Sequence, residues 1–298
     1  GVGVTGMTTK DEDTIKLILI ANTHDAMLMF TNKGRVFKLK VHELPESGRQ
    51  AKGTSMVNLI NLQADERLQT ILSMNDKEVE GKCIALATKN GLVKKTKLAD
   101  YQNIRTNGII AIILKDSDEL VWGKITSGKD HVMLITHQGK SIRFPEGEIK
   151  VTARDTQGVR AIILKEGDLV IGVAVFPAEI LSADEKKKKL FKQLLLVTVN
   201  GMGKRTELNE YPIQKRAGQG VKVAEITKKT GDVAGAMMVD QTTDEVVLTT
   251  KSAQVIKLPL KNIPVLTRPT QGVILMRFSE KDDHVVAVTT TKTSVEGE

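Results

Sequence analysis

Five short apolar runs, each closed by a tight turn, organise the chain: Met27-Leu28-Met29-Phe30, Ile84-Ala85-Leu86-Ala87, Val132-Met133-Leu134-Ile135, Leu194-Leu195-Leu196-Val197 and Val246-Val247-Leu248. Short apolar runs bounded by turn signals read as strands buried on both faces. The turns centre on Gly34, Gly91, Gly139, Gly201 and Ala253, a period of 48 to 62 residues. Asn32-Lys33-Gly34, Lys89-Asn90-Gly91 and Val199-Asn200-Gly201 carry hairpin chemistry, because Asn and Gly accept the positive φ a tight turn demands. Ala253 lacks that freedom, so a looser fifth turn is expected. Three residues before each turn stands a threonine (Thr31, Thr88, Thr136, Thr198, Thr250), and four after it a cation (Lys38, Lys95, Arg143, Arg205, Lys257).

Two further elements recur. A loop ending in glycine follows each hairpin, usually led by arginine: Arg49 to Gly53, Arg105 to Gly108, Arg154 to Gly158, Arg216 to Gly220 and Arg268 to Gly272. Ten to twelve residues past each glycine comes an acid: Asp65, Asp118, Asp168, Asp232 and Asp282. Gly3 and Asp13 supply a sixth loop and acid without a hairpin, which places the missing hairpin upstream of Gly1. Four short strands per unit, repeated at this period, predict an all-β, six-bladed propeller-like array of four-stranded blades. It is read as a single domain over residues 1–298, with its first blade incomplete at the N-terminus.

Composition narrows the partners. The net charge is +8, from 44 Lys plus Arg against 36 Asp plus Glu. Cations assigned to the outward hairpin and the arginine loop, with acids in the opposite turn, predict a positive face for a polyanion. The candidate rim is Arg35, Lys38, Arg49, Lys52, Lys94, Lys95, Arg105, Lys140, Arg143, Arg154, Lys204, Arg205, Lys215, Arg216, Lys257 and Arg268. Lysine on an edge strand also deters aggregation, but repetition at one offset favours binding. Aromatics make up only 3 % of the chain, too few for base stacking on a single strand. Duplex DNA, held through its phosphates, fits better.

Catalysis and metal binding find no support. His24, His42, His131, His137 and His284 are scattered, and none pairs with Cys83 at a ligand spacing. Tyr101 and Tyr211 each precede an arginine loop and read as packing residues. Lys186 to Lys189 lie in a longer connection and read as a solvated loop, with an extra non-specific phosphate contact as the alternative. One cysteine fits a reducing compartment, and no run is long enough to span a membrane.

Several strings together resemble the C-terminal domain of the DNA gyrase A subunit, the β-pinwheel: Ala21-Asn22-Thr23-His24-Asp25, Gly34-Arg35-Val36, Asn90 to Thr96, Gly203-Lys204-Arg205-Thr206, and Asn262 to Val265 leading into Thr270 to Leu275. The paralogous topoisomerase IV domain shares the blade plan with less likeness in these strings. Of that family's Gln-Arg-Arg-Gly-Gly-x-Gly box, Gly1-Val2-Gly3 matches the final Gly-x-Gly. Gln214 to Gly220 looks like a degenerate relative, with Lys215 and Ala217 as departures. The resemblance implies a non-catalytic, cofactor-free module of a bacterial type II topoisomerase, cytoplasmic and nucleoid-associated. It would bend and wrap duplex DNA toward negative supercoiling. Its partners would be the N-terminal catalytic domain of the gyrase A subunit, together with the gyrase B subunit. The main rival is a protein-interaction propeller with an acidic partner. On the rim reading, Arg35→Ala or Lys95→Glu is expected to weaken DNA binding without unfolding the chain.

Overall fold

The computed structural model describes residues 25–41, 60–104, 107–115 and 117–293. Each predicted apolar run is the first strand of an antiparallel hairpin. The first hairpin is β1 (Asp25–Thr31) and β2 (Arg35–Lys40), followed by β3 (Leu68–Asn75). The second is β4 (Cys83–Thr88) and β5 (Leu92–Lys97), then β6 (Ile109–Ile110) and β7 (Leu120–Thr126). The third is β8 (Asp130–Thr136) and β9 (Lys140–Pro145), then β10 (Val159–Arg160) and β11 (Val170–Pro177). The fourth is β12 (Lys192–Thr198) and β13 (Met202–Glu207), then β14 (Val221–Lys222) and β15 (Val233–Asp240). The fifth is β16 (Thr243–Thr250) and β17 (Val255–Pro259), then β18 (Val273–Ile274) and β19 (Val285–Lys292).

The chain divides into two compact units. One spans residues up to Asp130 together with Glu146–Arg160, and holds the sheets β3-β1-β2-β6 and β10-β5-β4-β7. Its main core joins Leu28, Phe30, Ile84, Leu86, Tyr101 and Ile112. The other spans His131–Pro145 and the residues from Ala161 on, and holds β11-β8-β9-β14, β15-β12-β13-β18 and β17-β16-β19. Its cores gather around Leu194, Leu196 and Tyr211, and around Leu195, Val246 and Leu248. The first strands of the first four hairpins are buried over nearly their whole length, as their unbroken apolar runs require, whereas β16 is buried over only half of its residues.

Among the described residues there are five blade-type sheets, not the expected six. Each is built on a hairpin, and the sixth copy, at Gly3 and Asp13, has none and lies outside those residues. The expectation of an incomplete first blade rests on that copy and also lies outside the described residues. The first sheet has four strands, and the fifth, β17-β16-β19, has three among the described residues.

The fourth strand of a sheet arrives by exchange. β6 follows the second hairpin in sequence but pairs with β2, and β10, β14 and β18 pair with β5, β9 and β13 in the same way. The loop glycine permits this close approach. Gly272 has φ +87, and a Cβ there would stand 2.6 Å from the Gly203 carbonyl oxygen.

The threonine before each turn has a local task. Its Oγ1 accepts the N–H of the residue after the turn, from Arg35, Leu92, Lys140, Met202 and Gln254 at 3.0 to 3.3 Å. The fifth turn is not looser. Ala253 takes φ 68 and its N–H donates to the Thr250 oxygen at 2.9 Å, the bond that Gly34 and Gly91 make to Thr31 and Thr88. The threonine and this closing bond hold the alanine in the left-handed region against its steric preference.

The acids are not opposite the hairpin turns. Asp118 Oδ1 accepts the Asn90 N–H at 3.0 Å, and Asp168 Oδ1 the Gln138 N–H at 2.9 Å. Asp283, not Asp282, accepts the Ser252 N–H at 3.1 Å. In the first repeat Glu66 takes the place of Asp65, accepting Thr31 Oγ1 at 2.7 Å. Acidic turns therefore cap hairpin turns, so the hairpin ends do not form a purely positive face. The connection after β11 contains a short helix, α1 (Ala183–Lys187), started by a reciprocal capping box between Ser182 and Glu185. Lys186 to Lys189 remain exposed.

Candidate nucleic-acid interface

The cation four residues past each turn sits on the second hairpin strand, and in four repeats its side chain turns into the protein. Lys38, Lys95 and Arg143 are 3 %, 5 % and 5 % exposed, and Arg205 is half-buried. Each meets the 3₁₀ turn that follows the next hairpin. Lys38 Nζ donates to the Gln102 oxygen at 2.5 Å, and to Asp76 Oδ1 at 3.1 Å. Lys95 Nζ donates to the Glu146 backbone oxygen at 2.9 Å and pairs with its carboxylate at 3.5 Å. Arg143 Nη1 reaches the Tyr211 oxygen at 3.1 Å, its Nε the His131 Nδ1 at 3.1 Å. Arg205 Nε reaches the Ile263 oxygen at 2.7 Å. Gln102, Tyr211 and Ile263 are the residues that end their 3₁₀ turns, where carbonyls lack an intrahelical donor. Burial lowers the pKa of both guanidinium groups, with Glu207 opposing the shift at Arg205. The exception is Lys257, which is exposed on β17.

Lys94 and Lys204, three residues past their turns, are buried as well, at 2 % and 0 % exposure. Five of the predicted rim cations (Lys38, Lys94, Lys95, Arg143, Lys204) are therefore internal, and their carbonyl partners explain the repetition without any ligand. The pattern that suggested a positive track is a packing device joining one repeat to the next.

Arg35 is half-buried and committed. It holds Glu66 through two bonds, Nε to Oε2 at 3.0 Å and Nη2 to Oε1 at 3.0 Å, and its guanidinium lies 4.9 Å over the Phe37 ring. Burial alone would raise the Glu66 pKa. Hydrogen bonds from Gln63, Arg35 and Thr31, with the Arg35 charge, outweigh it and hold the carboxyl below its ordinary value.

The arginine loops remain at the surface. Arg154, Arg216 and Arg268 are half-buried, and Lys215 is exposed. Arg154 borders an open depression with Arg35, Ile110 and Asp155. Arg268 Nη1 donates to the Lys222 oxygen at 2.6 Å, and its N–H is held by Glu210 Oε1 at 3.1 Å. Lys140 is half-buried beside β14, paired in register with Lys222. Arg49, Lys52, Arg105 and the box remnant Gly1 and Gly3 lie outside the described residues. Two surface cations escaped the sequence reading. Arg160 and Lys222 are exposed on the short exchanged strands, two residues after the loop glycine. Their shared offset was the available signal, hidden because Ile110 and Ile274 occupy the same place elsewhere.

Beside each loop stands an exposed β-branched residue, Val151, Ile213 or Val265, three positions before the arginine. Each is bridged to the strand cation of another repeat, Lys95, Arg143 or Arg205. Among the described residues no cluster of His, Cys, Asp and Glu could hold a metal, and no helix is long and apolar enough to cross a membrane.

Comparison with known proteins agrees with this architecture. The family described as "DNA gyrase C-terminal domain, beta-propeller" matches residues 25–73, 84–127, 130–177, 192–240 and 244–292, one match per hairpin repeat. The DNA gyrase A subunit of Escherichia coli (strain K12) is 40 % identical over 288 residues, covering 97 % of this chain and 31 % of the relative. That of Staphylococcus aureus (strain NCTC 8325 / PS 47) is 39 % identical over 298 residues, covering all of this chain and 32 % of the relative. The chain thus spans about a third of the length of these relatives. Among solved structures, the C-terminal domain of DNA topoisomerase IV superposes with a TM-score of 0.79 at 28 % identity, covering 91 % of this chain and 80 % of that one. A DNA gyrase A C-terminal domain superposes with a TM-score of 0.69 at 26 % identity, covering 91 % and 83 %. Five hairpin repeats, four of them with an exchanged fourth strand among the described residues, matched repeat for repeat, place this chain in the DNA gyrase C-terminal domain β-propeller family.

Proposed function

We propose that this chain is a non-catalytic duplex-DNA-binding module of a gyrase-type topoisomerase, which bends and wraps DNA along its arginine loops. The observation that carries the reading is the arginine at one place in successive repeats. Arg154, Arg216 and Arg268 stay at the surface while the neighbouring strand cations turn inward. Lys215, Lys222, Arg160 and Lys140 add charge to the same loops and exchanged strands, and Arg49, Lys52 and Arg105 are their sequence counterparts in the first two loops. Lys257 joins the rim as the one strand cation on the surface of the five. The catalytic centre, the nucleotide and the metal of such an enzyme belong to its B subunit, and to the N-terminal part of its A subunit. This module needs no cofactor and acts in the cytoplasm, on the nucleoid. Wrapping of positive hand makes strand passage introduce negative supercoils. The alternative is a topoisomerase IV-type C-terminal DNA-binding domain, which shares the fold.

Bending a 20–30 bp site by 40–90° costs about 1–6 kcal/mol, which phosphate contacts from several loops must offset. The test is end-to-end energy transfer on a labelled duplex of about 30 bp across a salt series. Salt-sensitive bending, with log affinity falling by about 0.9 per phosphate neutralised for each decade of salt, supports the reading. Binding without bending reduces it to a docking module, and an absence of binding at low salt favours an acidic protein partner.

A further inference from the structure

Two of the buried lysines do something the fold does not ask of their position. The place three residues past the turn is filled by Phe37, Ile142 and Ile256 in the other repeats and by Lys94 and Lys204 in the second and fourth. Phe37 and Ile142 are fully buried, so an apolar side chain is enough for packing there. Burying an ammonium instead costs free energy unless it is fully hydrogen-bonded.

Both ammonium groups end on an arginine loop. Lys94 Nζ donates to the Arg154 and Ala111 carbonyl oxygens, each at 2.8 Å, and to Thr96 Oγ1 at 2.9 Å. Lys204 Nζ donates to the carbonyl oxygens of Thr267, Arg268 and Thr270 at 3.0, 2.6 and 2.7 Å, with Thr270 Oγ1 at 3.3 Å. Neither makes an ion pair among the described residues. The charges that face Lys94 are Asp155, Arg154 and Asp100, and those that face Lys204 are Glu210 and Arg268. In each case the carbonyl of the surface arginine itself is gripped from below, which fixes the backbone from which the guanidinium projects.

We propose that Lys94 and Lys204 are positioning residues, internal ammonium clamps that hold the Arg154 and Arg268 loops in their DNA-binding geometry. This rests on those loops being the DNA surface. A protonated clamp has three donors and a neutral one has two, so the grip depends on protonation. Burial pulls both pKa values down to about 8, with the nearby acids and arginines as smaller effects. Opening the loop returns the ammonium to water and its pKa upward, so opening becomes harder, not easier, as pH rises above about 8, and global stability follows the same sign. Between the folded value of about 8 and the unfolded value of about 10.4, the unfolded chain holds protons that the folded chain does not, so stability rises with pH.

The test uses the 298-residue chain with Lys94→Met and Lys204→Met, and a duplex of random sequence as probe. Hydrogen exchange on peptides covering 152–158 and 267–272 reads the clamp, and duplex affinity at about pH 7 reads its consequence. We expect loop exchange to quicken by about tenfold or more, the scale of hydrogen bonds to a charged group. Affinity should fall several-fold at neutral pH, while the thermal midpoint stays at or above that of the parent. Unchanged loop exchange overturns the clamp. Faster exchange with unchanged affinity overturns its part in DNA binding. Should a methionine variant fail to fold, the parent titration decides: loop exchange corrected for its intrinsic rate must slow above about pH 8, and a flat profile refutes the clamp. If the parent binds no duplex at low salt, the functional reading fails and takes the affinity role with it, while loop exchange still judges the clamp.

Discussion

Lys95→Glu and Lys257→Glu make the same substitution at the same place in two repeats, and the structure gives them opposite outcomes. Lys95 is buried, and its ammonium satisfies the Glu146 carbonyl and carboxylate. Glu146 is wholly buried and also takes Thr126 Oγ1 at 2.8 Å and the Asp130 N–H at 2.8 Å. Removing one partner of a buried pair costs about 3–5 kcal/mol. A glutamate at 95 goes further, because it sets a second carboxylate against the buried Glu146 with no cation to offset either. That loss is comparable with the whole stability of a typical domain, about 5–15 kcal/mol. Lys257 is exposed with no acceptor in reach among the described residues, so its replacement should stay within about 0.5 kcal/mol. Urea unfolding followed by Trp122 fluorescence is a direct assay, since Trp122 on β7 pairs in register with Ala87 of the hairpin that carries Lys95. The reasoning requires a large fall in midpoint for Lys95→Glu and almost none for Lys257→Glu. Equal midpoints for the two variants would refute it.

Other consequences are as direct. Arg35→Ala strips Glu66 of two hydrogen bonds and a charge, so it should destabilise the first sheet, most at neutral pH. In the parent, the depressed Glu66 pKa contributes stability above the unfolded value of about 4.5, lost as pH falls through the folded value; the acid limb of a thermal-midpoint profile should therefore flatten in the variant. Arg154→Ala and Arg268→Ala should each weaken duplex binding across sequences and lower the salt slope by about 1, with an unchanged circular dichroism spectrum; a slope equal to the parent's would remove that loop from the interface. Gly272→Ala must place a Cβ against the Gly203 oxygen at positive φ, a loss of more than about 1 kcal/mol, seen as early exchange of the β13 and β18 amides.

The local elements were legible because local chemistry makes them. Unbroken apolar runs become strands buried on both faces, Asn and Gly make the turns, and a threonine three residues earlier accepts the N–H that the turn leaves open. Ala253 misled because its residue type forbids what its closure enforces, and the Ser182–Glu185 capping box was present in the sequence without being used. Six blades were expected because loops and acids were counted where hairpins should have been.

The interface was legible only in part. The repeat by itself determined the hairpins, their number, and the arginine loops with their terminal glycines, since each is set by neighbours within a few residues. It could not determine which cations face solvent. That depends on what covers the second hairpin strand, and the cover comes from far along the chain: the Lys38 acceptor is 64 residues away, and the Arg143 acceptor 68. An edge strand with lysine looks the same in sequence whether it meets water or a row of carbonyls. The 3₁₀ turns of the next repeat supply those carbonyls, so only the tertiary structure turns one set of cations inward and leaves the arginine loops outside.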